Sequence, residues 1–197
     1  GEGTKFMADI KKGSEIDIMG PLGRGYDVLS LKKGQTALLV GGGIGVPPLY
    51  ELAKQFNQRG IKTIAILGFN TKDEVFYEEE FKKFGETYVS TVDGSVGTKG
   101  FVTDVIKKLQ AENNLVFDKY YSCGPVPMLK ALISTVGEDG YVSLENRMAC
   151  GIGACYACVC KKKKKDKDII AYDEKKVEYT RVCYDGPVYL ASDVEIE

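Results

Sequence analysis

The sequence contains no histidine and no tryptophan. Without an imidazole there can be no Ser–His or Cys–His nucleophilic system, no His-ligated zinc and no His-ligated haem. The lack of tryptophan excludes no chemistry by itself. Neither sign of charge is in surplus: 27 Lys and Arg against 28 Asp and Glu leave a net charge of −1. A nucleic-acid-binding domain would carry a basic excess on one face. Long apolar runs are missing as well. The longest uncharged stretch, Gly34 to Tyr50, is broken by Gly41, Gly42, Gly43, Gly45, Pro47 and Pro48 and cannot form a bilayer-spanning helix. The first residues, Gly1-Glu2-Gly3-Thr4-Lys5, hold no apolar signal region. We therefore expect a cytoplasmic protein in a reducing compartment, where clustered cysteines bind metal more readily than they form disulfides. The abrupt beginning without Met suggests a fragment of a longer chain.

What is present fits a globular protein. The 197 residues are 44% apolar, enough for one domain or one with a sizeable appendage. In the first thirty residues, turn signals surround the alternating run Glu15-Ile16-Asp17-Ile18-Met19, which reads as a strand ending at Gly20-Pro21-Leu22-Gly23. From Gln35 onward strands and helices alternate. Strands are expected at Thr36–Val40, Lys62–Leu67, Thr87–Thr91, Lys119–Ser122 and Tyr141–Leu144. Helices are expected at about Val46–Gln58, Glu78–Phe84, Phe101–Gln110 and Val126–Val136. Repeated βα units with buried strands predict an α/β doubly wound parallel sheet. The expected organisation is the remnant of a β unit over 1–33, the α/β domain over 34–144 and a cysteine-rich domain over 145–197. Within the last part, the charged run Lys161–Asp168 reads as a solvated hairpin tip, and Lys176–Tyr179 and Val188–Tyr189 as final strands.

Two turns at strand ends have the form of ligand sites. Val40-Gly41-Gly42-Gly43-Ile44-Gly45-Val46-Pro47-Pro48 leaves a strand and opens a helix. Glycines there let the backbone approach a pyrophosphate, and free helix N–H groups attract its charge. A proline suits the first helical turn. The full dinucleotide fingerprint is not met, because Val46 or Pro48 stands at its last glycine position. No acidic residue closes the second strand, which runs into Gly68-Phe69-Asn70-Thr71-Lys72. A tight turn that binds nothing is the competing reading. Ser122-Cys123-Gly124-Pro125 ends the fourth strand, where doubly wound sheets bind ligands, although a lone buried cysteine is more often a small core residue.

The strongest local signal is Cys150-Gly-Ile-Gly-Ala-Cys155-Tyr-Ala-Cys158, the C-x4-C-x2-C spacing of a plant-type [2Fe–2S] site that takes a fourth cysteine downstream. Cys160 and Cys183 are the candidates for that fourth ligand. A distal iron needs a ligand from a separate segment, which favours Cys183. Small residues fit a loop wrapped around an inorganic core with its N–H groups turned to sulfur. Zinc is the rival metal, but structural zinc favours paired C-x2–4-C knuckles. A nucleotide-binding sheet beside such a cluster also calls for a flavin, since nicotinamide exchanges hydride while the cluster moves single electrons.

Together, Gly20–Gly23, the Gly41–Pro47 turn and Cys123-Gly124-Pro125-Val126-Pro127-Met128 resemble the ferredoxin–NADP reductase superfamily. Leu144-Glu145-Asn146-Arg147-Met148-Ala149-Cys150 through Cys158, with Val182-Cys183-Tyr184-Asp185-Gly186-Pro187, more closely resembles the electron-transfer subunits of type B dihydroorotate dehydrogenases. That resemblance runs from Gly1 to the C-terminus. It implies one [2Fe–2S] cluster, FAD and NAD, and a partner, the FMN-containing catalytic subunit that oxidises dihydroorotate, in a heterotetramer of two plus two. Electrons would run from FMN through the cluster and FAD to NAD+, in pyrimidine biosynthesis. The resemblance makes Cys150, Cys155, Cys158 and Cys183 the cluster ligands and Cys160 a bystander. It puts Gly3 and Thr4 at a flavin phosphate, Gly43 and Gly45 near the nicotinamide nucleotide, and Cys123 with Gly124 at the nicotinamide–flavin contact. Most of the family's flavin barrel lies before Gly1, so weak or no FAD retention is expected. The loop between Cys158 and Cys183 is longer and more basic than the family pattern. Three alternatives follow. One is the flavin and iron–sulfur subunit of an NADH-dependent ferredoxin:NADP oxidoreductase, whose motif lacks the Cys-Gly-Ile-Gly-Ala-Cys run. The second is a self-sufficient oxygenase reductase, which requires an intact barrel. The third is a zinc-stabilised nucleotide-binding module without redox role.

Overall fold

The structure, a computed structural model, describes residues 2–163 and 178–196. Helix α1 (Glu2–Ala8) is exposed throughout and buries no residue. The extended segment after it corrects an expectation: Glu15–Met19 is not a strand, and Ile16, Ile18 and Met19 are exposed. Alternation alone does not make a strand. The backbone N–H and C=O groups need a neighbouring ladder, and among the described residues none lies beside this segment. The first backbone pairing comes later, as an isolated bridge between Arg24 and Pro187.

The α/β portion follows the expected order closely. Strand β1 (Thr36–Gly42) leads through a short 3-10 turn into α2 (Val46–Gln58), then β2 (Lys62–Phe69), α3 (Glu78–Lys82) and β3 (Gly85–Thr91). A two-residue strand β4 (Thr98–Lys99), which the sequence did not announce, precedes α4 (Val102–Ala111). Then come β5 (Lys119–Cys123), α5 (Val126–Val136) and β6 (Gly140–Ser143). The antiparallel pair β7 (Val159–Lys161) and β8 (Tyr179–Arg181) stands apart, and β9 (Val188–Leu190) returns to the main sheet. That sheet has the order β4-β3-β2-β1-β5-β6-β9, parallel except for β9 against β6.

Burial explains the layering. Every residue of β1 after Thr36 is buried, as a parallel strand covered on both faces requires. Leu38, Val40, Ile64, Ile66 and Tyr120 pack against Val105, Ile106 and Leu109 of α4 and Leu129 and Leu132 of α5. Their alternates Ala37, Leu39, Ala65, Leu67 and Tyr121 pack on the other face, against Leu49, Leu52 and Phe56 of α2 and Phe81 of α3. In α2 the buried positions 46, 49, 52, 53 and 56 form one helical stripe.

The cysteine-rich part is not a separate core. Cys158, Val182, Cys183, Ala191 and Val194 belong to the same buried cluster as the α4 and α5 side of the sheet. The N-terminal segment joins it too: the Arg24 amide donates to the Gly186 carbonyl at 2.5 Å. Most of the lysine-rich run and the first part of the expected strand Lys176–Tyr179 lie outside the described residues, while Tyr179 opens β8. No helix among the described residues is long and apolar enough to cross a membrane.

The chain enters β1 and β5 side by side, tied by Asp118. Its carboxylate accepts the Thr36 amide at 2.7 Å and the Gln35 side-chain amide at 3.0 Å. These bonds, that from Thr36 foremost, hold the Asp118 carboxyl below its ordinary range. A carboxyl depressed by folding adds stability above its unfolded value, near 4, and the contribution disappears as pH falls through the folded value. Asp118→Asn is therefore less stable than the parent at neutral pH in urea unfolding. The gap narrows as the pH is taken below roughly 4.

Candidate nucleotide cavity and cysteine centre

The sheet reverses its winding direction between β1 and β5, and both expected turns lie there: Gly41 of β1 is in register with Cys123 of β5. Such a point, outside the carboxyl ends of the strands, is where doubly wound sheets bind ligands. The two turns touch. A Cβ on Gly45 would overlap the carbonyl of Cys123, so only glycine lets the β1 turn close onto the β5 turn. Helix α2 has no side-chain cap, but it opens Val46-Pro47-Pro48: the Val46 N–H donates to the Gly43 carbonyl and the two prolines have no N–H, so this end offers an anion the positive end of the helix dipole rather than a row of amides.

A cavity of about 360 Å³ opens on the β2 and β3 side of this point. Gly42 and Gly43 border it, with Asn70 and Glu74 beyond β2, Phe101 and Val102 at the start of α4, and Pro125 and Met128 at the start of α5. Its floor is a row across three strands: Gly42 is in register with Gly68, and Gly68 with Ser90. A Cβ on Gly68 would stand 2.7 Å from Val102 Cγ1 and 3.5 Å from Ser90 Oγ. Ser90 is fully buried, and its hydroxyl finds no hydrogen-bond partner among the described residues.

Of the expected nucleotide residues, Gly43 borders the cavity, whereas Gly45, Cys123 and Gly124 form the packed wall beside it. Cys123 is half-buried, and burial pushes its thiol up, so it stays protonated. Tyr26 donates to the neighbouring Ser122 carbonyl at 2.8 Å. Gly3 and Thr4 lie on α1 and border neither the cavity nor the core clusters.

The four expected ligand cysteines fall into two pairs. Cys150 and Cys155 share a loop, and the Cys155 amide donates to Cys150 Sγ at 3.4 Å. The amide of Cys155 first, then its thiol and the amide of Ile152, pull the Cys150 thiol down to about 6. Cys158 and Cys183 come from different segments, and strand register brings them together. Val159 of β7 pairs with Arg181 of β8, so Cys158 arrives opposite Val182 and beside Cys183. The Cys183 amide donates to Cys158 Sγ at 3.3 Å, and contact with the Cys158 thiol, then burial, pushes the Cys183 thiol up. Among the described residues no three His, Cys, Asp or Glu side chains gather around a point suited to one metal ion. Two adjacent thiol pairs with amides turned to sulfur suit a binuclear core better than a lone tetrahedral ion. Cys160, two residues on, lies in β7 opposite Thr180 and packs at the core edge.

A clamp that the sequence reading missed joins the two ligand segments. Arg181 makes a forked pair with Asp185, Nε to Oδ2 at 2.9 Å and a terminal nitrogen to Oδ1 at 3.3 Å, and donates to the Gly153 carbonyl at 3.0 Å. Its guanidinium lies 5.5 Å from the Tyr156 ring centre and 4.6 Å from that of Tyr184. Tyr156 is held at φ 56°, a left-handed conformation disfavoured for a side chain of that size. Glu74 was also missed. No acid closes β2 itself, which ends at Phe69, but the 3-10 turn Lys72–Glu74 beyond it folds back so that the Glu74 carboxylate accepts from the Asn70 amide at 3.2 Å and its side-chain nitrogen at 2.9 Å.

Comparison with known proteins gives these parts a family. The model for the iron-sulfur cluster binding domain of dihydroorotate dehydrogenase B matches residues 145–195, and that for an oxidoreductase NAD-binding domain matches 39–133. Over 197 residues the chain is 87% identical to the dihydroorotate dehydrogenase B (NAD(+)) electron transfer subunit of Fusobacterium nucleatum, spanning 72% of that protein. It is 56% identical over 190 residues to the protein so named from Lysinibacillus sphaericus, covering 96% of this chain and 69% of that one. Among solved structures, a chain of the NADH-dependent reduced ferredoxin-NADP oxidoreductase superposes with a TM-score of 0.77 at 31% identity, over 98% of this chain and 65% of that one. The cytochrome b5 reductase domain of Ulva prolifera nitrate reductase shares the fold, with a TM-score of 0.54 at 16% identity over 72% of this chain and 65% of that one.

The clamp has a direct test. Arg181→Met should speed amide hydrogen exchange over residues 151–157 by about tenfold or more, as the loop loses its tie to β8. Arg181→Lys should restore only part of the protection, because an ammonium cannot make the fork. Unchanged exchange in Arg181→Met would remove the clamp from the account.

Proposed function

The chain belongs to the family of dihydroorotate dehydrogenase B electron transfer subunits, and on that premise we propose that it carries electrons from the FMN of a catalytic partner subunit to NAD+ in pyrimidine biosynthesis. The partner oxidises dihydroorotate, and this chain serves the oxidoreductase as its electron-transfer component, in the cytoplasm and in an assembly of two plus two subunits. Between them, a bound [2Fe–2S] cluster and FAD supply what the polypeptide lacks, a passage from single-electron transfer to hydride exchange with NAD.

The residues divide the work. Cys150 with Cys155, and Cys158 with Cys183, would hold the two irons, each pair supplying two thiolates. The amides that donate to Cys150 and Cys158 Sγ stabilise charge on those sulfurs. Burial of Cys158 and Cys183 against Val182 keeps water from that side. Gly43, at the positive end of the α2 dipole, receives the nucleotide's pyrophosphate, and Gly45 holds that turn against Cys123 and Gly124, where nicotinamide meets flavin. Assignment of Gly3 and Thr4 to a flavin phosphate is supported by the resemblance alone. The divisions 1–33, 34–144 and 145–197 are proposed as flavin, nucleotide and cluster parts.

The observation that carries this reading is the grouping of four thiols into two adjacent pairs from two segments. The alternative ferredoxin:NADP oxidoreductase has the weaker support, 31% identity against 87%. Chain prepared without oxygen should contain iron and acid-labile sulfide in equal amounts and bleach with dithionite. Cys183→Ser should lose most of both, while Cys160→Ser keeps them. Zinc without sulfide would overturn the cluster reading. Mixing with the catalytic subunit, dihydroorotate, FAD and NAD+ should produce orotate and NADH in equal amounts.

A further inference from the structure

The cavity at the ends of β2 and β3 has an unusual charge pattern. Of the described residues that border it, Glu74 alone is charged, and it is an acid. The carboxylate is not free to swing: one oxygen accepts from both the backbone and the side chain of Asn70. Opposite it, the floor offers the Ser90 hydroxyl, fully buried and without a partner. A buried hydroxyl left unpaired costs free energy unless a ligand or water satisfies it. Apart from Asn70 and Thr103, the rest of the lining is apolar or glycine, with Phe69, Val92, Phe101, Val102, Pro125 and Met128 forming most of it. This is the chemistry of a pocket for a flat, mostly apolar group carrying hydroxyls, with no cation to receive a second phosphate.

We propose that Glu74 is the specificity-determining residue of the nucleotide site, admitting the free ribose 2′-hydroxyl of an adenosine and refusing one that bears a phosphate, with Ser90 as the polar contact beneath it. The inference rests on the nucleotide reading above and adds to it the residue that separates NAD from NADP. Placement supports it. Gly43, the proposed pyrophosphate contact at the switch point, borders the cavity, so a nucleotide whose nicotinamide half turns toward Cys123 would have its adenosine half within reach of Glu74. A carboxylate can accept a hydrogen bond from a 2′-hydroxyl, while a 2′-phosphate would bring its negative charge against that of Glu74. Asp93, the other acid near the end of β3, is not at the cavity, and its carboxylate already accepts from the Ser95 amide at 2.9 Å and hydroxyl at 2.6 Å.

Binding by the full chain tests this without catalysis, using ADP-ribose and its 2′-phosphorylated form as probes in calorimetry. The parent chain should prefer ADP-ribose. Glu74→Gln, which keeps the shape of the side chain, should move the preference toward the 2′-phosphorylated probe by about tenfold, and Glu74→Lys further. Ser90→Ala should weaken both probes alike, by roughly fivefold, and leave their ratio unchanged. A ratio unaltered by Glu74→Gln and Glu74→Lys overturns the proposal while the nucleotide reading stands, and so does a ratio that responds to Asp93→Asn instead. If the parent chain binds neither probe, the nucleotide reading fails, and the selectivity proposal with it.

Discussion

The apolar packing between the α4 and α5 face of the sheet and the β7–β8 pair is the constraint on which the rest depends. Cys158 and Cys183 are members of that core, as buried as the leucines around them. Packing that gives a nucleotide-binding sheet its stability therefore also places one of the thiol pairs. A loop anchored elsewhere would sample many arrangements of its sulfurs. Here two sulfurs are set by close packing, and Arg181 ties the loop carrying the other two to the same strand. The cysteine centre is thus anchored to the core of the sheet, which suits a path for electrons across fixed distances.

Electrostatics distinguishes the two sites. At the cysteine centre, amides donate to Cys150 and Cys158 Sγ, and the guanidinium of Arg181, between two tyrosine rings, donates to the Gly153 carbonyl of the loop that carries Cys150 and Cys155. At the nucleotide cavity the pattern is opposite, one carboxylate and a hydroxyl among apolar walls. One site is arranged to stabilise negative charge on thiolates, the other to discriminate against it on a ligand.

Much of this architecture was legible in the sequence, and the exceptions have physical reasons. The α/β portion could be read because its strands are buried on both faces and its helices carry one apolar stripe, signals contained within each segment. The C-x4-C-x2-C spacing was equally local. Glu15–Met19 misled because alternation records which side chains could face a core, and no neighbouring strand pairs there. Cys183 is favoured over Cys160 because a distal ligand should come from a separate segment; what spacing could not give is the β7–β8 register that puts Cys183 beside Cys158. Glu74 escaped because a 3-10 turn, not a strand end, carries it to the cavity. Ser90 left a faint trace, a polar residue at an inward position of β3 between Tyr88 and the end of the strand. Arg181 left none, since its role arises only when Gly153 and Asp185 are brought around it.

The antiparallel strand β9 covers the outer edge of β6 and comes from the cysteine-rich segment. An uncovered parallel edge is a template for pairing with other chains. The cysteine-rich part consequently cannot be grafted onto another reductase, or removed from this one, by cutting at Leu144. Residues 188–190 would have to stay behind, or the remaining sheet would present an open border to its neighbours. What looks in the primary structure like an interchangeable cassette is, in three dimensions, the hem of the protein to which it is attached.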